Sequence, residues 1–159
     1  EDLFNSEHPT CTWLKGHVSA CLLQWFERMR LQPGPTVKLQ ARFDVLAFGE
    51  YRQLSNTPGA YLAGMYFANT PANPKLHHLR SDCLPSHLSL LDPRVGFNAL
   101  ALVGDRNFNE TCTLNPDAGT LMLWPGYLRH HSRVHLADDP WVRIFIRVEL
   151  IGALGSSAS

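Results

Sequence analysis

The sequence predicts an antiparallel β-sandwich or jelly roll with one long helix packed on its outside. One stretch near the N-terminus carries apolar side chains at helical spacings of three and four residues. After it, the chain changes to short apolar runs separated by Gly, Pro, Asn and Asp, which is typical of strands and turns. A single helix followed by seven strand candidates favours two packed antiparallel sheets.

The helix is predicted over residues 10–30. The apolar positions of its repeat are Leu14, Val18, Cys21, Leu22, Trp25, Phe26 and Met29. Thr10 or Thr12 is expected to cap its N-terminus, since a threonine hydroxyl can accept from a free backbone N–H there. Pro33-Gly34-Pro35 is expected to end it.

The predicted strands form a barrel that covers about residues 37–151. The candidates are Val37–Phe48, Tyr61–Ala68, His87–Leu91, Asn98–Val103, Thr120–Trp124, Arg133–Leu136 and Trp141–Ile151. The remaining tail, 152–159, has too few large apolar groups to fold and is expected to be flexible.

The last strand predicts two different faces. Side chains alternate along a strand, so Val142, Ile144, Ile146 and Val148 lie on one face, and Arg143, Phe145 and Arg147 lie on the other. The aliphatic face suits packing under the helix. The second face suits the lining of an anion-binding barrel, although the arginines could equally face water.

Length and composition indicate one globular domain, 1–159. Lys+Arg and Asp+Glu both number 14, so no net field attracts nucleic acid or an anionic membrane. No apolar run approaches the length of a membrane span, and no secretory leader pattern is present. Four cysteines without metal-binding spacing are expected to be reduced and buried. We expect a cytoplasmic protein.

Two pairs of adjacent histidines are candidates for chemistry. His130 and His131 follow a Pro-Gly turn, and only one of two neighbours on a strand can enter a barrel, where its ring could ligate a metal. The alternative is two surface histidines after a turn. His77 and His78 lie in a long loop, where solvation is the competing explanation. No nucleophile elbow or phosphate-binding loop is present.

Asp92-Pro93-Arg94 closes a predicted strand. Proline ends strand pairing and keeps the preceding residue extended, so Asp92 and Arg94 would project at a rim. There Arg94 could hold a carboxylate in a bidentate manner. A simple turn is the alternative.

The order of these motifs resembles short bacterial and phage 2-oxoglutarate/Fe(II)-dependent oxygenases. In that family a Gly-x-Tyr segment, a His-x-His-Pro motif, an apolar strand, Asp-Pro-Arg, a Pro-x-x-Leu-x-His run and an Arg-led strand follow one another. The matching segments are Gly49-Glu50-Tyr51, Ser55-Asn56-Thr57-Pro58, Leu62–Phe67, Asp92-Pro93-Arg94, Trp124–His130 and Arg143–Ile146. The resemblance spans about residues 40–150.

The resemblance implies a double-stranded β-helix (a cupin-like jelly roll) and the cofactors Fe(II) and 2-oxoglutarate. It implies that His130 ligates the metal and that Arg143, thirteen residues later, pairs with the 2-oxoglutarate carboxylate. Arg94 and Tyr66 would help to position ligands. The substrate would be a small molecule or a peptide, with a homodimer left open.

The sequence departs from the family at the first pair of metal ligands. Ser55 and Thr57 stand where the family has two histidines, and hydroxyls are poor replacements for imidazole at a non-haem iron site. Glu50, His77 and His78 are the candidate surrogate ligands. Two interpretations follow: an oxygenase that hydroxylates its substrate, or a degenerate, non-catalytic β-helix module that binds a carboxylate ligand or a protein partner.

Overall fold

The computed structural model describes residues 2–30, 36–71, 86–93 and 111–151. Several predicted features lie outside these ranges. They are the strand Asn98–Val103, the loop histidines His77 and His78, the rim arginine Arg94, and the tail 152–159.

The predicted helix is confirmed as α1, Pro9–Arg28, after a 3₁₀ turn at Leu3–Asn5. The predicted cap is wrong. His8 is the N-cap, and its Nδ1 accepts a hydrogen bond from the backbone N–H of Thr10 at 3.3 Å. Pro9 follows at the first helical position, where its missing N–H costs nothing.

Eight strands lie within the described residues. They are β1 Thr36–Leu46, β2 Arg52–Ser55, β3 Leu62–Phe67, β4 Leu88–Leu91, β5 Thr111–Leu114, β6 Leu121–Pro125, β7 His130–Ser132 and β8 Trp141–Ile151. The prediction missed β2 and β5. It also placed a strand at Arg133–Leu136, whereas the chain forms β7 just before it.

The strands form two four-stranded antiparallel sheets. One has the order β1-β8-β3-β6 and the other the order β2-β7-β4-β5. Consecutive strands mostly alternate between the sheets. The first sheet is therefore completed only by β8, and the second only by β7. This arrangement is a jelly roll, and the predicted mainly β fold with a helix on its outer sheet is confirmed.

The outer face of the first sheet packs against α1. Leu14, Val18 and Leu22 of the helix are buried in one cluster with Ile146 and Val148 of β8. The aliphatic face of the last strand therefore lies under the helix, as its alternation predicted.

A second cluster fills the space between the sheets. Its buried members are Leu46, Ala63, Met65, Phe67, Leu88, Trp124 and Trp141, with Phe145 packed against them. The inner face of β8, which carries Arg143 and Arg147, therefore points into the barrel.

Side chains protect part of the free edge of β1. Asp2 accepts a hydrogen bond from the backbone N–H of Ala41 at 2.9 Å, and Arg52 donates to the carbonyl of Val45 at 3.0 Å. Edge strands without such cover are prone to pair with other chains. The same two side chains, Asp2 and Arg52, also reach the barrel mouth.

Cys11, Cys21 and Cys112 are free thiols. Cys21 and Cys112 are exposed, so the prediction of buried cysteines is wrong for these two. None of the described helices is long and apolar enough to cross a membrane.

Candidate functional site

A cavity of about 500 Å³ opens at one end of the barrel. Its charged and titratable lining residues are Arg42, Arg52, Arg147, Asp2, Asp44 and His130. Neutral polar groups come from the segment after β2, and Met65 and Phe145 supply apolar surface. An anionic ligand with some apolar body suits this mixture.

His130 begins β7 and enters the barrel, which is one of the two alternatives that the sequence left open for the His130-His131 pair. Its side chain is only 8% exposed and lies against Trp124 and Phe145, with ring centroids 5.2 and 6.1 Å away. Burial lowers the pKa of His130, and the nearby charge of Arg143 lowers it further, while a hydrogen bond to Leu128 opposes the shift. The net shift favours the neutral imidazole.

Ser55 lies directly opposite His130 in the β2–β7 ladder. Ser55 and Thr57 both line the cavity, and Thr57 is held there because its N–H donates to the carbonyl of Gly126 at 2.9 Å. Gly126 packs so closely on Ala60 that a side chain would overlap that residue's carbonyl. The Pro-Gly turn therefore fixes the segment that carries the two hydroxyls.

Arg143 lies inside the barrel but is already satisfied by protein groups. It donates to Asp44 and to the Ser132 hydroxyl, and its guanidinium stacks on Trp141 at 4.3 Å. The side chain is fully buried and does not line the cavity. Burial lowers its pKa to about 10, although Asp44 opposes the shift. This placement disagrees with the expected pairing of Arg143 with a ligand carboxylate.

Arg42 and Arg147 are the arginines that face the cavity. Arg42 lies over the Phe145 ring at 5.2 Å and forms no ion pair with any other described residue. Arg147 bonds Glu149 at 2.6 Å and donates to the carbonyl of Pro58 at 2.9 Å. Both side chains therefore border the same opening.

The remaining predicted site residues lie elsewhere. Tyr66 packs on the outer face beneath α1, where its ring meets Trp13 edge-on, so its placement does not support a ligand-positioning role. Glu50 closes a turn by accepting from the N–H of Ala47 at 2.8 Å and does not line the cavity. Arg94, His77 and His78 lie outside the described residues, so their expected roles stay predictions.

The sequence reasoning missed Arg42 and Asp44. A usable signal existed, because β1 alternates polar residues (Gln40, Arg42, Asp44) with Leu39, Ala41 and Phe43. The polar row faces the polar row of β8 across the ladder, with Asp44 opposite Arg143 and Gln40 opposite Arg147.

Comparison with solved structures identifies the architecture. A prolyl-4-hydroxylase from Pseudomonas putida superposes with a TM-score of 0.62 at 13% identity, over 92% of this chain and 70% of that one. The fold is a double-stranded β-helix. A 2OG-Fe(II) oxygenase family oxidoreductase from Burkholderia pseudomallei gives a TM-score of 0.54 at 9% identity, over 79% of this chain and 50% of that one. No protein-family model and no curated protein sequence matches.

The donor set in the described part of this barrel does not fit a non-haem iron. Such a site needs two histidines and a carboxylate, or three histidines, around a metal ion that keeps open coordination positions. In the described part of the chain, no three His, Cys, Asp or Glu side chains come close enough together to hold a metal ion. His130 faces serine and threonine hydroxyls instead.

Proposed function

We propose that this protein is a double-stranded β-helix module that binds a small carboxylate-bearing ligand in its barrel without a metal ion. One observation carries the proposal: Arg42 and Arg147 both line the cavity from neighbouring strands. Arg42 is paired with Phe145, two residues before Arg147, so the two arginines are diagonal neighbours roughly 7–8 Å apart. One small diacid can reach both.

The charge balance of the cavity favours an anion. Arg42, Arg52 and Arg147 line it together with Asp2 and Asp44, and Asp44 already bridges Arg52 and Arg143. The one carboxylate of Asp44 thus offsets two guanidinium groups. Glu149 pairs with Arg147, so Arg42 is the lining arginine that has no ion pair among the described residues.

A ligand carboxylate can compete for both arginines. Arg42 has only a ring contact in the described structure, and the Arg147–Glu149 pair is partly exposed, with side chains 32% and 23% accessible. Exposed pairs of this kind contribute little because water screens them. A planar guanidinium can hold a carboxylate through two parallel hydrogen bonds, which contribute about 1.5–3 kcal/mol.

The second candidate is a 2-oxoglutarate/Fe(II)-dependent oxygenase acting on a small molecule or peptide. The fold shared with a prolyl-4-hydroxylase favours it, as does a buried histidine at the barrel mouth. The hydroxyls of Ser55 and Thr57 argue against it, since neither replaces an imidazole ligand. The two candidates differ in one measurable property, which is whether metal is needed for ligand binding.

Calorimetric titration of 2-oxoglutarate and succinate, in the presence of a chelator, tests the proposal. Weak binding is expected for the wild-type protein, with a loss of about tenfold or more for Arg42→Gln and for Arg147→Gln. Arg28→Gln is the matched control, because Arg28 lies in the last turn of α1, outside the cavity lining. Equal binding by all four proteins would exclude the arginine site.

A further inference from the structure

Among the described residues, one nitrogen of the buried His130 imidazole has a hydrogen-bond partner and the other has none. Its Nδ1 lies 3.3 Å from the carbonyl oxygen of Leu128. A carbonyl can only accept, so Nδ1 carries the proton in this hydrogen bond. In a neutral ring the other nitrogen, Nε2, then presents a bare lone pair.

The surroundings of the ring fix its direction. Trp124 packs edge-on against it, and Phe145 stacks on it nearly parallel, with 19° between the ring planes. The ring cannot turn without breaking these contacts or the bond to Leu128. His130 is therefore a fixed group at the cavity wall, not a mobile surface histidine.

No described residue donates to the free nitrogen. The cavity places Ser55, Asn56 and Thr57 along the same wall, yet none of them hydrogen-bonds His130 in the described structure. His130 lines the cavity, so a water molecule or a ligand group there can donate to Nε2. A ligand group that takes this place donates to Nε2 through an N–H or an O–H.

We propose that the ligand is a hydroxycarboxylate, whose carboxylate pairs with Arg42 and Arg147 and whose hydroxyl donates to Nε2 of His130. This inference rests on the proposed function and adds the substrate class. Met65 and Phe145 also line the cavity, and their apolar surface suits the short carbon chain that joins the two groups.

A 2-oxo acid is the most stringent comparison ligand for a 2-hydroxy acid. It matches the 2-hydroxy acid in size and charge but offers an acceptor where the hydroxy acid offers a donor. The lone pair of Nε2 repels the ketone oxygen, whereas the hydroxyl group donates a hydrogen bond to it. A metal at His130 would reverse the preference, because a 2-oxo acid can chelate through its ketone and carboxylate.

The test is calorimetric titration with 2-hydroxyglutarate, 2-oxoglutarate and glutarate, in the presence of a chelator. The wild-type protein is expected to bind 2-hydroxyglutarate about tenfold or more tightly than the other two, as one buried hydrogen bond allows. His130→Leu should bind all three equally. His131→Gln is the control, since His131 lies on the opposite face of β7, and it should keep the preference.

A second readout covers the case in which His130→Leu fails to fold. The imidazole ¹⁵N resonances of wild-type protein should show that Nε2 of His130 shifts on addition of 2-hydroxyglutarate and stays in place with glutarate. If glutarate and 2-hydroxyglutarate bind equally through Arg42 and Arg147, the hydroxyl inference is overturned and the carboxylate site stands. If none of the three binds, the proposed function itself fails.

Discussion

Asp44 and Arg143 face each other across the β1–β8 ladder and form an ion pair inside the barrel. Asp44 also bonds Arg52 at 2.6 Å, so one carboxylate holds two arginines. The protein thereby supplies its own carboxylate to the arginine that the family resemblance assigned to 2-oxoglutarate. In the proposed function, the ligand carboxylate therefore pairs with Arg42 and Arg147.

Removing that internal carboxylate should destabilise the fold. Asp44→Ala leaves Arg143 fully buried without its partner, and breaking such a buried pair costs about 3–5 kcal/mol. Urea denaturation of the variant measures the change in unfolding free energy. Glu149→Ala is the control, because it breaks only exposed pairs with Lys38 and Arg147 and should change stability little. Equal effects of the two changes would contradict a structural role for Asp44.

Two glycine substitutions should act in opposite directions. Gly126→Ala places a methyl group on the Ala60 carbonyl, 2.8 Å from its carbon, and should destabilise by about 1–3 kcal/mol. Gly16→Ala meets nothing within 4 Å in the middle of α1 and should stabilise by about 0.5–1 kcal/mol. Thermal denaturation of both variants measures the two changes in stability. A harmless Gly126→Ala would mean that the turn does not hold the Ser55–Thr57 segment.

Acidification should weaken the fold through His130. Its pKa is lowered in the folded state, so between that value and 6.5 the unfolded chain binds more protons than the folded one. Stability therefore rises with pH through this window and is lost as the pH falls below 6.5. Urea midpoints measured across it should slope less in His130→Leu than in wild type. His131 also has a lowered pKa through burial and should contribute a smaller slope of the same sign, because it is less buried.

The position of Ser55 opposite His130 also allows a gain-of-function test. If Ser55 and Thr57 occupy the places of lost metal ligands, Ser55→His with Thr57→Asp should create the missing triad. Mn(II) affinity should rise by more than about tenfold, or about 1.4 kcal/mol, over the wild-type protein. Adding His130→Ala to the double variant should remove the gain. An unchanged affinity would show that the aligned positions do not converge on one point.

The helix and the long strands could be predicted because their burial leaves a period in the sequence. Leu14, Val18 and Leu22 repeat at helical spacing, and Ile146 and Val148 repeat at strand spacing, because each set faces one apolar surface. β2 gave no such signal, since all four of its residues are exposed. It forms because its backbone pairs with β7, which is far away in the sequence, and no local pattern reports such a pairing.

The candidate site was predicted less completely, for a related reason. The predicted strand Arg133–Leu136 contains two aliphatic residues, Val134 and Leu136, yet Val134 is 38% exposed and the strand forms at His130–Ser132. The actual strand is polar because it faces the cavity, so its pattern resembles a loop. For Arg143, no local pattern could report its ion-pair partner, since Asp44 lies 99 residues away in sequence. Only the fold brings that competing carboxylate beside it.

The dependence of ligand binding on metal tests the central claim most directly. 2-Oxoglutarate should be titrated into the protein with a chelator present, and again with Mn(II) in place of iron. We expect the two dissociation constants to agree within about twofold, and both to weaken about tenfold or more in Arg147→Gln. Binding that appears only with Mn(II) and disappears in His130→Ala would contradict a metal-independent carboxylate site.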